Sequence, residues 1–198
     1  MMRRSWVVGF CALALSAAGC FSASSEYMRP VASPQSVKPV ADQATVVFVR
    51  PSSFGGALKQ TILDGKGQFL GDALPSSRFA VKVPPGEHTF IVWAENTNAV
   101  RAKLAAGKVY FVEVSLSMGA LSARADLIPI KPGSEAWESL DEWLADTEVY
   151  EPDAAAGQAY LAERKEDVDE RIKRAEEHLA GYEGDDLALH TMAPGDGR

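Results

Sequence analysis

Three histidines and two cysteines are the side chains here best suited to hold a metal or begin a nucleophilic attack. His88 opens a strand-like segment after Pro84-Pro85-Gly86, His178 lies among acidic residues, and His190 lies near the end of the sequence. None stands at metal-ligand spacing from another histidine or cysteine. Glu177-His178 lacks the second histidine that a helical zinc pair requires. Neither a Gly-x-Ser-x-Gly elbow nor a Gly-x-x-x-x-Gly-Lys phosphate loop is present, and Gly65-Lys66-Gly67 reads as a hairpin turn. Carboxylates are plentiful, but a glycosidase pair must share a cleft, which spacing in sequence does not establish. The sequence therefore points to no catalytic residue, no metal and no cofactor. Arg50 remains, a cation closing an apolar run before Pro51; its expected role is to donate to loop carbonyls at the rim of a fold. With Trp137 and Trp143 it forms the set of candidate interaction residues.

Cys20 carries the clearest chemistry. Arg3 and Arg4 precede an apolar run from Trp6 to Leu15, and small residues fill positions 16–19. That is the layout of a secretory signal, and the run is shorter than the ~20 residues a membrane span needs. Ala17-Ala18-Gly19-Cys20 resembles the lipobox of bacterial lipoproteins. The resemblance implies cleavage before Cys20, a diacylglyceryl group on its thiol and an acyl group, such as palmitate, on the new amino terminus. Cys11 would leave with the signal peptide, residues 1–19, so Cys20 would have no disulfide partner in an oxidising compartment. By the sorting rule of enterobacterial lipoproteins, Phe21 implies the outer membrane, facing the periplasm.

Residues 20–43 carry Pro30, Pro34, Pro39 and five serines, and read as a flexible tether holding the domain clear of the lipid surface. Residues 44–132 change to short β-rich runs broken by turns. These are 44–50, 60–63, 68–70, 78–83, 87–93, 100–104, 109–115 and 121–128. Phe79/Val81/Val83, Phe90/Val92 and Tyr110/Val112/Val114 each mark one apolar face. Val47-Phe48-Val49-Arg50-Pro51, Pro85-Gly86-Glu87-His88 and Gly107-Lys108-Val109-Tyr110-Phe111 resemble a group of bacterial lipoproteins of unknown function. That resemblance implies a transthyretin-like or PEGA-like antiparallel β-sandwich over 44–132, and brings no activity with it.

Residues 133–186 form an acidic helical segment, expected as two helices. Ser134 is placed to cap the first, whose Trp137, Leu140, Trp143 and Leu144 share one face and suggest a lid. The second spans about Ala154 to Tyr182, with an apolar seam of Leu161, Val168, Ile172, Ala175, Leu179 and Tyr182. Asp167/Arg171, Asp169/Lys173 and Glu170/Arg174 are i,i+4 pairs in the favourable order. Residues 187–198 read as a disordered tail.

The net charge of −7 hides a division. Residues 44–132 hold 10 basic and 6 acidic side chains, and residues 133–186 hold 5 and 18. Such asymmetry suggests either helices folded back on a more basic sandwich or an acidic face for an envelope partner. Nucleic acid is a poor partner for so acidic a chain. Together these features lead us to expect a lipid-anchored cell-envelope protein acting as a non-catalytic binding or structural module. The alternatives are a small-ligand carrier for lipid or glycan, with its pocket beside the Trp137/Trp143 helix, and a cell-wall hydrolase.

Overall fold

The computed structural model describes residues 23–34, 36–118 and 123–198. Cys20 and the signal-like segment lie outside them. Two sheets enclose the core. The eight runs legible in the sequence appear as β2 (Ala44–Arg50), β3 (Gln60–Asp64), β4 (Phe69–Ala73), β5 (Ser77–Val83), β6 (Gly86–Trp93), β7 (Thr97–Leu104), β8 (Lys108–Met118) and β9 (Ala123–Pro129). Three further strands complete the sheets: β1 (Met28–Pro30), β10 (Glu148–Pro152) and β11 (Thr191–Met192). The larger sheet runs β1-β10-β5-β2-β8-β9, and the smaller β11-β7-β6-β3-β4.

The expected β-sandwich followed by helices is the architecture observed, with corrections in detail. It is not wholly antiparallel, because β2 runs parallel to β8, β10 to β5 and β11 to β7. Residues 20–43 are not all tether. Met28–Pro30 pairs with β10 as an edge strand, where Pro30 costs the ladder little. The tail at 187–198 is ordered by its backbone: β11 joins β7, and the Arg198 main chain exchanges two hydrogen bonds with Val109. Met192 is buried, and Lys108 Nζ donates to the Gly197 carbonyl at 2.7 Å.

Inside the sandwich, Phe48 stacks on Phe79 and meets Phe90 edge-on, with ring centroids 5.2 and 5.5 Å apart. β2 is buried at all seven positions, so both its faces are covered. Val46 and Phe48 face the core. Val47 and Val49 face outward into a second cluster with Val109, Phe111, Ile130 and Leu140.

Helices cover the outer faces. The expected Trp helix is split at Ser139 into α1 (Glu135–Glu138) and α2 (Leu140–Asp146). Ser134 caps α1 as its residue type implies, accepting from the Trp137 amide at 3.2 Å. The long second helix breaks at Glu163–Arg164 into α3 (Ala154–Ala162) and α4 (Lys165–Gly181), with α5 (Gly184–Leu189) after it. On α3, Gly157 packs directly on Phe69: a Cβ there would fall 2.2 Å from the ring. α4 lies on β6 and β7, burying Val168, Ala175 and Leu179. Its Arg171 leaves the expected partner Asp167 and donates to Thr97 Oγ1 at 2.9 Å and the Asn96 carbonyl at 3.0 Å. His178 Nδ1 lies 3.0 Å from the Thr97 carbonyl. The acidic helix thus docks on its own sheet, and Glu170–Arg174 is the expected pair that forms.

Candidate binding groove

On the outer face of the larger sheet, α2 covers only part of the surface. Beside it runs a groove of about 470 Å³, within the range of small-molecule sites. Its floor is the outward row of three central strands: Ala80 from β5, Val47 from β2, and Val109 and Phe111 from β8. Leu144 and Ala145 of α2 form one wall, and Val37 and Pro39 form another. The chain before β2 therefore builds part of the site. A bridge between Val40 and Gln43, whose carbonyls both accept from the Gly107 amide, holds it in place.

Charge is confined to the rim. Arg78 donates to the carbonyl and hydroxyl of Thr147 just past α2, the latter at 2.9 Å. Burial lowers its pKa from the ordinary value. Arg198 meets Asp141 at 3.0 Å and lies over the rings of Phe111 and Trp137, 4.8 and 5.9 Å from their centroids. Trp137 packs edge-on against Phe111. The arrangement offers an apolar floor and a rim of two guanidiniums, one of them already paired with the Asp141 carboxylate, which suits an acyl or other apolar body with a polar end.

Of the residues singled out from sequence, Trp137 and Trp143 both pack against the second apolar cluster under α1 and α2, and neither lines the groove itself. Arg50 does not join them. It alternates onto the inward face with Phe48, is 1% exposed, and donates to the carbonyls of Leu58, Phe54, Gly55 and Ala73 and to Gln60 Oε1. Burial pushes its pKa down to about 10, which leaves it a cation at neutral pH. This is the loop-bonding role its position implies. Among the described residues no group of three or more His, Cys, Asp or Glu side chains could hold a metal ion.

A second, wider concavity of about 930 Å³ lies at the end of the sandwich bearing Gly65, Pro84 and Lys103. It gathers Lys66, Lys82, Arg101 and Lys103 against Asp64 and Glu87. His88, stacked on Phe90, also lines it.

Glu113 stands on the same outer face as the groove, across from Val49 on β2 and Ile128 on β9. Burial raises its carboxyl pKa from the ordinary value. An acid whose pKa is higher folded than unfolded costs stability when ionised, and that cost vanishes once both states are protonated. Glu113→Gln is therefore expected to raise the urea midpoint at pH 7. The gain should shrink to nothing as pH falls below the ordinary glutamate value of about 4.3. Equal midpoints at pH 7 would remove the burial argument.

No protein-family model matches the chain, and no curated protein is detectably similar to it.

Proposed function

We propose that this protein is a lipid-anchored envelope protein, held by acyl chains on Cys20, that works as a non-catalytic binding module. Its ligand-receiving surface is the groove between α2 and the larger sheet. The observation that carries this reading is the groove of about 470 Å³ over the apolar floor of Val47, Ala80 and Phe111, of which Ala80 is the part-exposed member, under a charged rim. The occupant is an amphiphile: apolar along the floor, anionic toward Arg78.

Trp137 and Trp143 report on the site. Three of the four tryptophans lie after Cys20, and two of those three sit on the lid. Titration of the mature protein with lysophosphatidylglycerol is expected to shift its tryptophan emission saturably. Filling the floor with Ala80→Trp, monitored by direct binding of radiolabelled ligand, should weaken affinity at least about tenfold, or ~1.4 kcal/mol. Unchanged emission together with no retained ligand would overturn the proposal. Equal binding by Ala80→Trp would place the ligand elsewhere.

A further inference from the structure

Among the described residues, three of the six exposed large apolar side chains gather at one end, while Val37, Ile128 and Leu189 lie elsewhere. Phe54 and Leu58, on the loop joining β2 to β3, are 48% and 41% exposed, and Met118 at the end of β8 is 70% exposed. These positions belong to one end of the sandwich. A Cβ at Gly55 would lie 3.1 Å from Leu116 and 3.5 Å from Leu58. Met118 follows Leu116 by two residues, on the same face of the strand.

Among the described residues, 51–59, 115–118 and 123–125 carry no aspartate or glutamate, and their charged residues are Lys59 and Arg124. The carboxylates at this end of the strands, exposed Glu95 beside Ala125 and exposed Glu148 beside Ser76, belong to neighbouring segments. An apolar tip with a cation on each segment suits the headgroup region of an anionic bilayer.

The path of the chain brings the membrane to this end. The Ala23 amide donates to the Gly56 carbonyl at 2.5 Å, within the same loop. Two residues on, Ser25 Oγ donates to the buried Asp72 carboxylate at 2.5 Å, which also meets Lys59 at 3.1 Å. From Ala23 back to Cys20 is three residues, a reach of at most about 11 Å. The tether expected over 20–43 thus shortens to almost nothing before the chain joins the domain.

We propose that the end bearing Phe54, Leu58 and Met118 is seated in the interface of the bilayer that holds the lipid anchor. The protein then rides against the membrane in one orientation, with the basic cleft beside Lys66 and Lys103 at the far end of the strands turned away from it. This rests on the reading of Cys20 as lipidated. Lipid chains fix distance only; the tip supplies orientation.

The test labels single cysteines in the mature, lipidated protein, whose only native thiol carries the acyl group. Phe54→Cys and Met118→Cys report on the tip, and Lys66→Cys on the opposite end, each bearing a polarity-sensitive fluorophore. The proteins are reconstituted into vesicles of phosphatidylethanolamine and phosphatidylglycerol containing a spin-labelled lipid quencher at headgroup depth. Flotation with the vesicles reads the anchor separately. Quenching is expected to be at least about twofold stronger at 54 and 118 than at 66, since interfacial side chains enter about 5–10 Å. Protein that floats but is quenched equally at all three positions overturns the tip and leaves the anchor standing. Protein that does not float overturns both.

Discussion

Arg50→Ala is expected to cost about 3–5 kcal/mol of folding stability, much of what a domain of this size possesses. The guanidinium donates at 2.7 Å to each of three acceptors, the Leu58 and Phe54 carbonyls and Gln60 Oε1. Contacts to Gly55 and Ala73 are longer, at 3.2 and 3.3 Å. None of these acceptors is a carboxylate, so the two terminal nitrogens are met by dipoles, while Nε is buried with no partner among the described residues. Removing it strands several oxygens at once, each costing ~1–3 kcal/mol where water does not reach. Arg50→Met separates volume from hydrogen bonding. It refills most of the space yet leaves the carbonyls unpaired, and should recover little. Arg50→Lys keeps the charge but not the fork, and should fall between. Urea denaturation followed by circular dichroism reads all three. A loss below about 1 kcal/mol for Arg50→Ala would mean that the loop is held by other contacts.

Arg50 also shows why parts of this molecule were readable in advance. A cation that closes a β-branched run and precedes proline has few places to go: its own carbonyl-rich rim is the nearest set of acceptors. Strands such as β5 and β6 were legible for a similar reason, since burial of one face writes a period of two into the sequence. β1, β10 and β11 write no such period. They have three, five and two residues, lie at or next to sheet edges, and are held by backbone bonds to which Pro30, Glu148 and Thr191 add no apolar signal.

The groove was legible only in part. Trp137 and Trp143 on one helical face point to a lid over the sheet. The floor of the groove was hidden because Val47, Ala80 and Phe111 come from three strands and differ in type. A signal did exist. Val46-Val47-Phe48-Val49 and Val109-Tyr110-Phe111-Val112 are unbroken apolar runs, and a strand with no polar face needs cover on both sides. The helical cover is one segment, α1 and α2, and the groove runs beside α2 over Val47, Ala80 and Phe111.

Replacing Cys20 by alanine, in a chain exported behind an ordinary cleavable signal peptide, is expected to move essentially all of the protein from the membrane to the soluble fraction. Incorporation of labelled palmitate should fall to background. The signal must be exchanged as well, because an uncleaved precursor would keep its own apolar segment, Trp6 to Leu15, in the membrane. The size of the effect follows from area and chain length. One acyl chain of about sixteen carbons transfers on the order of 10 kcal/mol at ~0.8 kcal/mol per methylene, and a lipidated cysteine carries more than one. Phe54 and Leu58 are already about half-covered by the fold, and Met118 is covered by less than a third. Their insertion contributes roughly 3 kcal/mol together, before the cost of holding the domain at a surface. A tip of that strength orients a protein that is already anchored and does not retain a free one. The Cys20→Ala protein should accordingly wash off in buffer, whereas the native form should resist high salt and alkaline carbonate and yield only to detergent. Retention of the Cys20→Ala protein after carbonate would show that something other than lipid holds it, and would shift the weight from the thiol to the surface of the domain.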